Sequence, residues 1–129
     1  MREILFRGID EGTNKWVYGY YYESQKPSDF GGERRYYIFD SKTISKYNVL
    51  PETVGQYTGL TDKNGNKIFE GDIIEGADFT IEDGGYGLVC FEDGAFEVNG
   101  NNIIGTFHEN YWGREFEVIG NIHDNPELY

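Results

Sequence analysis

This chain lacks most of the features that tie a sequence to a membrane, a metal or a reaction. It has one cysteine, Cys90, so no disulfide can form within it, and a reducing compartment is the ordinary setting for such a composition. No apolar run approaches the length of a membrane span. Residues 1–8 have no apolar stretch of the kind that opens a signal peptide. These absences predict a cytoplasmic protein that meets no membrane. Alanine (two residues), methionine (one) and proline (three) are scarce, which leaves little material for long helices. Basic charge is missing from one half. Residues 55–129 hold fifteen acids against Lys63, Lys67 and Arg114, whereas residues 1–54 hold eight of each sign. The net charge of −12 therefore belongs wholly to the second half, which disfavours nucleic acid as a ligand.

Catalytic and cofactor motifs are missing as well. The candidate metal ligands are His108, His123, Cys90 and scattered carboxylates, with no His-x-x-His, no cysteine pair and no calcium-loop spacing among them. The glycines fit no phosphate-binding fingerprint. Cys90 sits mid-strand between Val89 and Phe91, as a small residue within or beside a core does. His108 and Glu109 are adjacent, and on a strand they would point to opposite faces. No metal and no cofactor is implied, and an enzyme is disfavoured.

What is present is aromatic and turn-rich: 11 Tyr, 9 Phe, 2 Trp and 18 Gly, a composition that favours strands and tight turns. Residues 4–9 and 15–22 read as two strands joined by Asp10-Glu11-Gly12-Thr13-Asn14. In the second, Trp16, Tyr18, Tyr20 and Tyr22 alternate with Val17, Gly19 and Tyr21, which puts a ladder of aromatics on one face of a sheet. Core packing is the expectation for that ladder, with an exposed ligand-stacking face as the alternative. Residues 24–33 read as a surface loop and 34–39 as a strand, with Arg34-Arg35 a solvated strand end. Residues 40–47 are expected to form the one internal helical turn.

Two dipeptides mark hairpins. Asn64-Gly65 predicts a two-residue type I′ loop with Asp62 facing Lys67, Thr61 facing Ile68 and Leu60 facing Phe69. Asp93-Gly94 predicts another, pairing Phe91 with Phe96, Val89 with Val98 and Cys90 with Glu97. Glu70-Gly71-Asp72 breaks the chain before Ile73-Ile74, and Asp72 is placed to accept nearby backbone N–H groups. Residues 103–107 and 116–122 read as strands, and Pro126 opens a final helical turn. About five short strands after residue 55 suit a small, strongly bent SH3-like barrel over 55–129, preceded by a smaller β-rich portion over 1–54.

Several blocks together resemble the YopX family of phage and prophage proteins. They are Phe6-Arg7-Gly8 with Trp16-Val17-Tyr18-Gly19; the segment from Pro51 to Leu60, with Asp62, Asn64-Gly65 and Ile68 through Ile73; and Val118-Ile119-Gly120-Asn121-Ile122 with Asn125-Pro126-Glu127-Leu128. The resemblance implies an all-β C-terminal part similar to SH3-like barrels, a smaller N-terminal portion and a bacterial host cytoplasm. It implies no catalytic mechanism.

Three functions follow from these readings. A non-catalytic interaction module would bind a host or phage protein through the loop carrying His108, Glu109, Tyr111 and Trp112, with the aromatic pair as anchor. An acidic DNA mimic would use Asp78, Glu82, Asp83, Glu92 and Asp93 to occupy a basic nucleic-acid-binding protein. An enzyme would need a pocket that the sequence does not announce. A homo-oligomer is left open.

Overall fold

The computed structural model describes residues 3–24, 34–76, 86–98, 101–102 and 116–128. The chain divides into two compact units, Met1–Gln56 and Tyr57–Tyr129.

In the first unit, β1 (Phe6–Ile9) and β2 (Trp16–Glu23) form an antiparallel hairpin. Its loop is organised by Asp10. That carboxylate accepts from the Gly12 and Thr13 N–H groups at 3.5 and 3.2 Å and from the Thr13 hydroxyl at 2.7 Å. Side-chain capping of this kind is why aspartate opens turns. β3 (Tyr36–Asp40) pairs with β2, and β4 (Ser45–Asn48) pairs with β3. The first residues of β5 (Gly55–Thr61) lie beside β1, with Arg7 opposite Gly55.

β4 corrects the helical turn expected over residues 40–47. The Lys42 N–H donates to Asp40 Oδ1 at 2.9 Å, and Ile44 takes a φ of 55°, so the chain reverses and returns as a strand. Branching at Thr43 and Ile44 stiffens the backbone against a helix.

The centre of this unit lies on the β3 face that carries Ile38, which is fully buried; Ile9 and Val49 are buried too. Thr53, in the 3-10 turn Pro51–Thr53, accepts from the Ile9 N–H at 2.8 Å and donates to the Leu50 carbonyl at 2.6 Å. That pair of bonds ties the turn to β1.

In the second unit the rest of β5 pairs with β6 (Lys67–Phe69). β7 (Asp72–Gly76), β8 (Tyr86–Glu92), β9 (Ala95–Val98), β10 (Asn101–Asn102) and β11 (Phe116–Asn121) form a five-stranded sheet in the order β10-β9-β8-β7-β11. Ile68, Ile74, Val89, Val98 and Phe116 make its buried cluster, with Leu60, Phe96 and Val118 packed against it. The chain closes in the expected short turn, a 3-10 turn over Pro126–Leu128.

The two hairpins behave differently. Asp93 and Gly94 both have positive φ, 52° and 81°, and the register pairs Phe91 with Phe96, Val89 with Val98 and Cys90 with Glu97, as predicted. At Asn64-Gly65 only Gly65 is left-handed, at 82°. Thr61 pairs with Lys67 and Tyr57 with Phe69, not Thr61 with Ile68 and Leu60 with Phe69, and a bulge separates those two rungs. The loop is three residues long, because the Asp62 N–H donates to the Asn66 carbonyl at 2.8 Å and the Gly65 N–H to the Asp62 carbonyl at 3.0 Å. A turn followed by a left-handed glycine is the common three-residue alternative to the type I′ loop.

The expected SH3-like barrel is not present. Both antiparallel sheets are open, and neither is closed or strongly curled. Among the described residues the edge strands β10 and β11 do not pair with each other, and β10 is two residues long. β5, the strand that opens the expected barrel, pairs with β1 and β6.

Candidate interaction face

The carboxylates of the segment around Asn64-Gly65 hold the fold together. Asp62 Oδ1 accepts from the Asn64 and Asn66 N–H groups at 2.9 and 2.8 Å, and Oδ2 accepts from the Val118 N–H at 2.9 Å and from Asn66 Nδ2 at 3.3 Å. Burial pushes this carboxyl up, but the N–H groups of Val118, Asn66 and Asn64 outweigh it and hold it below its ordinary range. Asp72 accepts the Phe69 N–H at 2.7 Å, as the sequence implied. These acids serve turns.

The ladder on β2 is the exposed feature. Tyr18, Tyr20 and Tyr22 are 45%, 57% and 44% exposed. The expectation of core packing is therefore overturned for these three tyrosines: the fully buried Ile38 pairs with Tyr21, on the opposite face, whereas on the ladder's own face the β1 residues Arg7 and Ile9, opposite Tyr18 and Trp16, are buried. Tyr21 packs against Phe6 with ring centres 5.7 Å apart and donates its hydroxyl to Glu23 at 3.2 Å. Burial, then that bond and the Glu23 charge, push its phenol up to about 12.

Register extends this face across three further strands, on which Arg7 is buried, Tyr37 and Phe39 are half-buried and Lys46 is exposed. Arg7 on β1 stands opposite Tyr18; on β3, Phe39 and Tyr37 stand opposite Tyr20 and Tyr22, and Lys46 on β4 stands opposite Phe39. Two cations lie over its rings. The Arg7 guanidinium is 4.5 Å from the centre of Trp16, and Lys46 Nζ is 4.7 Å from the centre of Tyr37. Tyr37 in turn stacks on Tyr22, with centres 5.0 Å apart and planes inclined by 27°. The strand positions on this face carry no carboxylate. Lys46 and Tyr37 were not singled out by sequence reasoning. The available signal was Gly19, since a glycine inside a strand marks close backbone approach. A Cβ there would fall on the Phe39 carbonyl oxygen.

Of the residues proposed from sequence, His108, Glu109, Tyr111, Trp112, Asp78, Glu82 and Asp83 lie outside the described residues. Glu92 and Asp93 are exposed at the tip of the β8–β9 hairpin. That hairpin brings Cys90, Glu92 and Glu97 together, with ligand atoms within 4.8 Å of one another. The Cys90 thiol already donates to the Glu97 carbonyl at 3.6 Å, and one thiol with two carboxylates falls short of a tetrahedral zinc set. Arg34 pairs with Glu23 at 3.1 Å, and with Arg35, Glu11, Tyr36 and Asn48 it lines a cleft of about 400 Å³ of mixed charge. No helix among the described residues is long and apolar enough to cross a membrane.

A family model described as YopX protein matches residues 5–129. The chain belongs to the YopX family of phage and prophage proteins. The sequence of this chain carries no classic catalytic motif. Its fold is similar to that of protein EF1440 from Enterococcus faecalis, whose crystal structure aligns with a TM-score of 0.58 at 21% identity over 99% of each chain. No curated protein matches this chain. Several residues of the matched stretch serve the fold: Gly8 lies against Val49, Thr53 accepts from Ile9 of β1, Asp62 accepts from Val118 of β11, and Gly120 lies against Asn125.

Proposed function

We propose that this YopX-family protein is a non-catalytic interaction module of the bacterial cytoplasm, and that it binds a host or phage protein through the aromatic face of β2 and β3. The observation that carries this reading is the exposure of Tyr18, Tyr20 and Tyr22 in one row. Tyrosine offers a large, rigid, amphipathic contact at low conformational cost, which is why it is enriched at protein interfaces. Three large rings, each about half exposed in one row, form an aromatic patch of the kind that marks an interaction surface.

The test is site-specific cross-linking. A photoreactive phenylalanine derivative replacing Tyr20 in the full chain, expressed in the host, is expected to yield a discrete protein adduct. The same group replacing Tyr47, opposite Ile38 on the packed face, should not. Equal labelling from both positions, or no protein adduct from position 20, would overturn the proposal.

A further inference from the structure

We infer that the cleft where the start of β3 meets the end of β4 binds a small zwitterion, a free amino acid or a short peptide that presents a carboxylate and an ammonium together. The cleft lies within the first unit and is lined by Glu11 from the β1–β2 loop, Arg35 and Tyr36, Asn48 and Val49, and Pro51. At about 400 Å³ it falls in the range of small-ligand sites, roughly 300 to 1,000 Å³. Backbone bonds fix its frame. The Glu11 N–H donates to the Asn48 carbonyl and the Val49 N–H to the Tyr36 carbonyl, both at 2.9 Å. The Arg35 N–H donates to Ser24 Oγ at 2.8 Å, and its carbonyl accepts the Ser24 N–H at 2.9 Å. These bonds set the positions from which the lining side chains project without using their polar ends, so the site is pre-formed.

The polar ends are left for a ligand. Arg34, at the rim, is committed to Glu23 at 3.1 Å. Among the described residues, no hydrogen bond or ion pair engages the Arg35 guanidinium, the Glu11 carboxylate or the Asn48 side-chain amide. Arg35 and Glu11 thus bring opposite charges to one cleft and do not pair with each other. That arrangement selects the class of ligand. A bare anion would be drawn by Arg35 and repelled by Glu11, and a bare cation would meet the reverse. A zwitterion satisfies both, its carboxylate accepting from the guanidinium and its ammonium donating to Glu11. Val49, itself buried, with Tyr36 and Pro51 supplies apolar lining for the ligand's side chain.

The experiment follows backbone amide shifts of the full, isotope-labelled chain with four probes: leucine, leucyl-leucine, N-acetyl-leucine and leucinamide. Leucine or leucyl-leucine is expected to give saturable shifts at residues 11, 35, 36, 48 and 49. The tighter of the two shows whether a free amino acid or a peptide carrying both termini is taken, and either supports the inference. The two probes with one charge blocked should bind roughly ten-fold more weakly or worse. Arg35→Gln and Glu11→Gln each remove one charge from an exposed side chain and leave the backbone bonds in place. Each should weaken the better probe by a similar factor, with amide shifts elsewhere in the chain unchanged. Equal binding of N-acetyl-leucine or leucinamide, full affinity in either variant, or no saturable shift at the cleft with leucine or leucyl-leucine would overturn the inference. The tyrosine face, followed at residues 18–22, is untouched by any of these outcomes.

Discussion

One carboxylate, Asp62, ties the loop after β5 to β11, a strand more than fifty residues further along the chain. It accepts four hydrogen bonds, from Asn64, Asn66 twice and Val118. Asp62→Asn keeps the shape but turns one acceptor into a donor facing N–H groups. We expect it to lower the unfolding free energy by roughly 1.5–3 kcal/mol, the range for bonds to a charged group, read as a lower urea midpoint at unchanged slope. The pH dependence has a definite sign. The folded carboxyl titrates below the ordinary 3.8, so its contribution is present above that value and is lost as pH falls through the lower folded pKa. The acid side of the stability profile should therefore flatten in Asp62→Asn relative to the parent chain. An unchanged profile would mean that other carboxylates govern acid unfolding.

At the scale of elements, the glycines separate two kinds of cost. Gly65 and Gly94 have φ of 82° and 81°, and a Cβ at either would meet nothing within 4 Å. Alanine there should cost only the left-handed backbone penalty, about 1–2 kcal/mol, with the hairpins otherwise intact. Gly19 differs, because its added Cβ would fall on the Phe39 carbonyl oxygen. Gly19→Ala should cost more than Gly94→Ala, and it should weaken amide protection in β2 and β3 specifically, as measured by hydrogen exchange. Equal costs would mean that β3 yields freely. The β8–β9 hairpin was legible from sequence because Asp93-Gly94 fixes its own turn and hence its register. The β5–β6 loop was not, since the Asp62 side chain reaches its backbone and selects a longer loop than Asn64-Gly65 alone favours. β4 was missed for a related reason: its strand conformation comes from pairing with β3, not from local propensity.

At the scale of the molecule, each compact unit has its own buried centre, Ile38 in one and the cluster around Ile74 in the other. If the units are energetically separate, Ile38→Ala should lower amide protection within residues 1–56 and leave 57–129 unchanged, and Ile74→Ala should do the reverse. Each is expected to cost about 2–5 kcal/mol within its unit. Loss of protection throughout the chain from either substitution would show a single cooperative structure. The charge asymmetry follows nearly the same division, since residues 1–54 are balanced and the later residues carry all of the −12. The tyrosine face thus belongs to the balanced unit, and the excess of acids belongs to the other.

What the sequence determined was local or compositional. Period-two alternation made β2 a strand with aromatics on one side, paired positive-φ residues set the β8–β9 register, and Asp72 was placed to accept a neighbouring N–H. The blocks of residues 5–129 also carried the family. Tertiary structure decided which side of β2 meets water, whether the sheets close, and that Asp62 binds Val118. The physical reason is that alternation specifies two faces but not their cover. Burial is a property of surfaces brought together from distant parts of the chain, and for β2 the packed face is the one that carries Tyr21 and, across the rung, Ile38.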